Sequence, residues 1–217
     1  MMPPTSIDLS KLRVRKTEWQ EVSQVGELLV DGFHDSPFWS CIDLHTKYPD
    51  AEKFFFERRG QLMFDHSFLI TYEDQVIGHY CISPENDTGP AFWKLMWYGL
   101  YLLPIRYGWQ FTKQTLDLLD SNSDTRDEVL GKRPPAVKLE AFVIKQEWRG
   151  RGIGKFLLEH FTLKDCSRMV LMAQEKDVVG LYEKVGFRTL DQRIVRTGYG
   201  REYENWIMEY DAAGESA

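Results

Sequence analysis

The residues best placed to do chemistry are Arg149, Gly150, Arg151, Gly152, Ile153 and Gly154, a glycine-rich run that opens into an apolar-periodic segment. Ile153, Phe156, Leu157 and Phe161 fall at helical spacing, so a helix begins inside the run. The first N–H groups of a helix have no intrahelical partner and sit at the positive end of its dipole. Glycines let that backbone approach an anion without a Cβ in the way, and Arg149, Arg151 and Lys155 add positive charge. The chemistry offered is the holding of a phosphate or diphosphate. No Gly-Lys-Ser/Thr closes the run, so it is not a P-loop. Its glycine spacing also differs from the dinucleotide fingerprint, although Glu175, about 20 residues after Gly154, leaves a dinucleotide discounted and not excluded. Taken alone, the run could equally be a turn that only packs.

Glu140 is the second residue of interest. In a strand over residues 136–144, Lys138, Glu140, Phe142 and Ile144 point one way while Val137, Leu139, Ala141 and Val143 point the other. A carboxylate in the middle of an apolar strand is costly unless paired or functional. An ion pair with Lys138 or a neighbouring strand is the structural alternative. His79, in a strand-like run over residues 76–82, is a weaker candidate, since a lone strand histidine is more often a satisfied structural residue.

These residues need elements to position them. Residues 12–16 read as a strand, and Thr17 as the cap of a helix with the stripe Val22, Val25, Leu28 and Leu29, ending near Gly32. Pro49 and Asp50 open a second helix. Residues 67–72 and 76–82 form a hairpin around Glu73-Asp74-Gln75. Residues 84–135 change character: a dense loop signal, two aromatic-rich helical stretches over 92–103 and 108–119 separated at Pro104, then a polar surface loop over 121–135. Their aromatics, among them Trp93, Trp97, Tyr101 and Trp109, read as packing against the sheet, with an acceptor-pocket wall as the alternative. A strand over 136–144, a helix over 150–163, a strand over 168–173 and a helix over 176–185 follow. A strand pair, 188–195 and 203–210, closes the chain around Gly198-Tyr199-Gly200. The order is mixed α/β, with residues 84–135 as a helical insertion that is too small to bury its own core.

The 217 residues are enough for one domain, and 43% hydrophobic with 28% charged residues is ordinary globular composition. A net charge of −6 gives no pull toward nucleic acid. The apolar stretch 91–103 is too short to span a bilayer, and residues 1–8 carry no secretory signal. Three scattered cysteines predict a reducing, cytoplasmic setting, and no paired Cys/His spacing predicts a metal site.

Three segments together resemble the GNAT superfamily of N-acetyltransferases: Leu139-Glu140-Ala141-Phe142-Val143-Ile144, then Arg149 to Gly154 as above, then Leu181-Tyr182-Glu183-Lys184-Val185-Gly186-Phe187. Their order and separation match the family's acetyl-CoA-binding core over residues 136–190. The resemblance implies one GNAT-like domain over residues 1–217, with a central, mixed, splayed β-sheet flanked by helices and the insertion ahead of the cofactor-binding strand. It implies that the backbone of Phe142, Val143 and Ile144 pairs with the pantetheine arm of acetyl-CoA, and that the N–H groups from Arg149 to Lys155 hold its pyrophosphate. Tyr182 stands where relatives place the tyrosine that protonates the CoA sulfur, although Val178, Leu181, Tyr182 and Val185 also share a helical face that would pack as core. Many relatives carry an asparagine where this chain has Glu175, whose side chain must then point away from phosphate.

The implied activity is transfer of an acetyl group from acetyl-CoA to a primary amine in a ternary complex, with Tyr182 as acid and Glu140, directly or through water, as base. The expected acceptor is a small molecule, with no nucleic acid, membrane or metal involved, and the chain a monomer or homodimer. The alternative is a non-catalytic acyl-CoA-binding module or sensor.

Overall fold

The computed structural model describes residues 7–85, 99, 101–131, 133 and 135–213. A seven-stranded sheet runs through it in the order β1-β2-β3-β4-β5-β7-β6, with β1 Leu12–Lys16, β2 Ser67–Tyr72, β3 Gln75–Ser83, β4 Val137–Ile144, β5 Arg168–Ala173, β6 Arg188–Arg196 and β7 Glu202–Asp211. Every neighbouring pair is antiparallel except β4 and β5. The sheet is therefore mixed, as expected. Glu73 and Asp74 both take positive φ, the geometry of a tight two-residue hairpin turn, and join β2 to β3 where the sequence places a hairpin.

Eight described α-helices flank the sheet. Four precede the hairpin: α1 Val22–Phe33, α2 Pro37–Ser40, α3 Leu44–Lys47 and α4 Pro49–Leu62. Next come α5 Leu102–Tyr107 and α6 Trp109–Leu130, and after β4 come α7 Ile153–Leu157, continued by a π-helical turn Leu158–Thr162, and α8 Lys176–Glu183. Two buried clusters result. One joins Leu29 and Phe56, from α1 and α4, and Phe111 and Leu118, from α6, to Ala141 and Val143 of β4. The other joins Leu157 of α7 and Tyr182 of α8 to Leu139, Phe142 and Ile144.

Several expectations need correction. Residues 121–130, read as a surface loop, continue α6. Their polar sequence hid this because serine and threonine hydroxyls bond back along the helix: Ser121 Oγ donates to the Asp117 carbonyl at 2.7 Å and Thr125 Oγ1 to that of Ser121 at 2.8 Å. Thr17 does not cap α1; it bonds Ser67 Oγ at 2.7 Å, while the Glu21 carboxylate accepts from the Glu18 backbone N–H ahead of the helix. Helices α2 and α3 were not foreseen, being single turns too short to show a period. Of the expected helix over 92–103, residues 92–98 and 100 lie outside the described residues.

Strict alternation along β4 also fails. Cys81 pairs with Ala141 but Ile82 with Leu139, so Glu140 is the extra residue of a β-bulge. Leu139 consequently packs in the same cluster as Phe142 and Ile144, while Ala141 and Val143 face the other way.

The approach of α1 to β4 depends on one missing side chain. A Cβ on Gly32 would lie 2.4 Å from Val143 Cγ1 and 2.6 Å from Cγ2. Gly32→Ala should therefore destabilise the protein by about 1–3 kcal/mol through overpacking, read as a lower urea midpoint. Adding Val143→Ala should recover part of that loss. An unchanged midpoint for the single variant would contradict this close contact.

Candidate active site

The site begins where the sheet stops being continuous. Strands β4 and β5 pair in parallel only from Val137 with Met169 to Leu139 with Leu171. Beyond that point β4 continues to Ile144 along β3, and β5 continues to Ala173 along β7. The two halves part at the Glu140 bulge, and a cleft of about 380 Å³ lies between them. One wall is β4 from Leu139 to Ile144; the other is Met172, Ala173, Gln174 and Glu175, with Val178, Leu181 and Tyr182 of α8.

The cleft edge of β4 has no strand beside it past Leu139, yet two of its carbonyls are occupied. Arg149 Nε donates to the Ile144 carbonyl at 2.7 Å, and Arg59 Nη2 reaches the Glu140 carbonyl at 3.4 Å. Backbone groups two residues apart face the same edge of a strand, so Phe142 lies between these arginine contacts with its N–H and C=O toward the cleft. An extended, amide-bearing chain is the natural partner for such an edge.

At the mouth, the run from Arg149 turns into α7. Gly150 and Gly152 take φ of 72° and 77°, left-handed values that disfavour any side chain, and a Cβ on either would meet nothing within 4 Å. Gly152 caps the helix, with Phe156 N–H donating to its carbonyl at 3.1 Å. The helix thus starts at Ile153, three residues later than the sequence reading, because the two positive-φ glycines are needed to make the turn. Ile153 is buried, which anchors a backbone that otherwise faces open space. A Cβ on Gly154 would touch Leu181 Cδ2 at 3.2 Å, so this glycine permits close packing of α7 on α8. Lys155 stands 3.6 Å from Glu159.

Tyr182 lines the cleft from α8, its ring buried against Phe187 at 5.4 Å between centroids. Burial pushes its phenol pKa well above the ordinary value, so it keeps its proton. Glu140 lines the cleft from the bulge and makes no ion pair within 4 Å among the described residues. Glu175 also lines it; burial raises its carboxyl above the usual range while Arg149 pulls it back down. Among the described residues no group of three or more His, Cys, Asp or Glu is placed to hold a metal ion.

His79 stays outside the cleft. It is fully buried, Nε2 bonds Ser67 Oγ at 2.8 Å, and Nδ1 has no partner. Burial, helped by the nearby Arg59 charge, lowers its pKa to about 3. An imidazole that resists protonation so strongly is a poor acceptor for a substrate proton.

The helical side of the cleft was largely hidden from the sequence. Phe33 of α1, Phe38 and Trp39 of α2, and Phe56 and Arg59 of α4 line it, with Asn122, Ser123 and Arg126 of α6 opposite. The (i, i+3) spacing of Phe56 and Arg59 was the only available signal. The α6 residues were masked by the loop reading.

Residues 121–189 match the family model described as Acetyltransferase (GNAT) domain. Over those residues the chain is similar to a GNAT domain. No curated protein sequence matches it. Among solved structures, a Drosophila melanogaster polyamine N-acetyltransferase that forms N-acetylagmatine aligns with a TM-score of 0.62 at 14% identity, covering 92% of this chain and 99% of that one. Arylalkylamine N-acetyltransferase 2 from Aedes aegypti aligns at 0.61 and 16% identity, covering 92% and 98%. The C-terminal condensation domain of Ebony, in complex with β-alanyl-dopamine, aligns at 0.65 and 11% identity, covering 93% and 99%. At these identities the likeness is one of fold, and it extends the GNAT architecture over nearly the whole chain.

The buried histidine sets a pH dependence. Its folded pKa lies below the unfolded value of about 6.5, so the unfolded chain binds the proton first as pH falls. Stability from this group is complete above pH 6.5 and is lost toward pH 3, by on the order of 4 kcal/mol. Urea unfolding of His79→Asn between pH 7 and 4 should show a shallower decline than the parent. An NMR titration placing the His79 ring near 6.5 would contradict the assignment.

Proposed function

We propose that this chain is a GNAT-type, acetyl-CoA-dependent N-acetyltransferase acting on a small-molecule primary amine by direct transfer in a ternary complex. The carrying observation is the parting of β4 from β5 at the Glu140 bulge, which puts a strand edge without a neighbouring strand, Arg149 at the head of the glycine run, a protonated phenol and a carboxylate with no ion pair among the described residues around one cleft. Residues 1–217 act in this reading as one domain, with 136–190 as the acetyl-CoA-binding core and 84–135 as an insertion that completes the cleft through α6.

The residues present fit acetyl-CoA. The edge at Phe142, with Val143 and Ile144, offers amide pairing to the pantetheine arm. The N–H groups of Arg149, Gly150, Arg151, Gly152, Ile153, Gly154 and Lys155 offer donors to a pyrophosphate, with open space beside Gly150 and Gly152. When bound, acetyl-CoA supplies an acetyl group activated as a thioester. Glu140 takes the proton that an ammonium must lose before its nitrogen can attack. Tyr182, held protonated by burial, donates its proton to the departing sulfur, an order consistent with its raised pKa. The aromatic side chains of α1, α2 and α4 keep water from the reacting end.

Calorimetry should show saturable acetyl-CoA binding, and an amine panel should show amine-dependent CoA release. Tyr182→Phe should lower kcat by about 100-fold or more while acetyl-CoA affinity stays within about threefold, and Glu140→Gln should lower kcat by a similar factor near neutral pH. Absence of saturable acetyl-CoA binding would remove the reading at its first step; binding without any amine-dependent release would leave the sensor alternative.

A further inference from the structure

Two guanidinium groups line the acceptor end of the cleft, and among the described residues one carboxylate, that of Asp127 beside Arg126, serves the two. Arg59 projects from α4 one turn beyond Phe56, and its one hydrogen bond among the described residues is the 3.4 Å contact to the Glu140 carbonyl. No carboxylate lies within 4 Å of it among the described residues. Arg126 projects from α6 on the opposite wall, with its side chain 25% exposed, and uses only Nε, which donates to Asp127 Oδ1 at 2.8 Å. Its two terminal nitrogens make no hydrogen bond among the described residues. A partly buried cation with no counter-charge among the described residues, such as Arg59, is costly, and a planar guanidinium is the side chain best shaped to take a carboxylate in two parallel hydrogen bonds.

We infer that the acceptor is an amino acid with an aromatic or large apolar side chain, its carboxylate taken by Arg59 and Arg126 while its amine faces Glu140. This rests on the acetyltransferase reading and names its substrate class. Three features set the chemistry. Arg59 reaches the backbone of the same residue whose carboxylate receives the amine proton, so the acceptor's cationic and anionic groups are separated by only a few bonds. Phe33, Phe38, Trp39 and Phe56 form an aromatic wall beside them, suited to a ring or branched apolar body and to nothing charged. A dicationic acceptor is disfavoured, because its second charge would enter a space that holds two guanidiniums and, apart from Glu140, no carboxylate on the α1, α2, α4 and α6 walls.

The test uses matched pairs that differ only in the carboxylate: phenylalanine against 2-phenylethylamine, and tryptophan against tryptamine, with agmatine as the dication. With acetyl-CoA at saturation, kcat/KM should favour the carboxylate-bearing member of each pair by about tenfold or more, the scale of a charge-assisted hydrogen bond, and agmatine should be the poorest. In Arg59→Gln, and separately in Arg126→Gln, the ratio within each pair should fall toward one, and Arg59→Lys should restore part of it. A ratio within one substitution series reports recognition, since a general loss of folding lowers both members together. A parent ratio at or below one, no turnover of either carboxylate-bearing acceptor, or a ratio unmoved in both glutamine variants would overturn the inference. Each of these can occur with acetyl-CoA binding intact, whereas failure of that binding removes the acetyltransferase reading itself.

Discussion

Backbone amides in a sheet need partners on both edges of a central strand, and β4 has them on both sides for only part of its length. From Val137 to Leu139 it pairs with β3 and β5; from Glu140 onward β5 diverges and the cleft edge opens. An interior strand with an open edge is an unusual arrangement, since unpaired N–H and C=O groups are costly where water is excluded. The protein answers with two arginines, one on the Glu140 carbonyl and one on the Ile144 carbonyl, and leaves the Phe142 position between them. The parting of these two strands creates the cleft, aims Tyr182 and Glu140 into one space, and makes the edge available to an extended ligand.

The rest of the molecule keeps the two halves apart without letting them drift. On one side α1 rests on β4 through Gly32, so closely that no side chain fits there, and α4 brings Phe56 and Arg59 over the bulge. On the other, β5 is held to β7 and β6, and the buried Glu209 gathers Arg168, Arg188 and Arg133 at the far end of that half-sheet. Such a buried carboxylate is tolerable only because the guanidiniums satisfy it, and it ties three segments at once. Helix α6 then borders the cleft, and the β6–β7 hairpin docks on it: Gly198 N–H donates to Asp117 Oδ2 at 2.7 Å, and Tyr203 Oη to Asn122 Oδ1 at 3.3 Å.

Charge is distributed along the cleft in a way that separates two kinds of recognition. At the mouth, open backbone and the Arg149 charge meet Glu175, whose carboxyl pKa is raised by burial and lowered by Arg149. Glu140, Arg59 and Arg126 line the same cleft as Phe33, Phe38, Trp39 and Phe56. His79, close beneath Arg59 and bonded to Ser67, is kept neutral by its surroundings and serves the packing of β2 on β3.

The sequence by itself determined what depends on local chemistry. The glycine run, its helix start, the hairpin at Glu73-Asp74, the strand carrying Glu140 and the helix carrying Tyr182 are all legible, because backbone conformation and hydrophobic period act within a few residues. Their combination also points to the GNAT fold. What tertiary structure alone decided is everything that requires two distant segments to meet. The Glu140 bulge follows from register against β3, which a strand's own alternation does not reveal. The helical state of residues 121–130 follows from hydroxyls bonding back along α6 and from the docking of Asp117 and Asn122 against the final hairpin, contacts between residues some eighty positions apart. Arg59 and Arg126 were ordinary charges in the sequence; only the packing of α4 and α6 around the parted strands brings them to the same cleft.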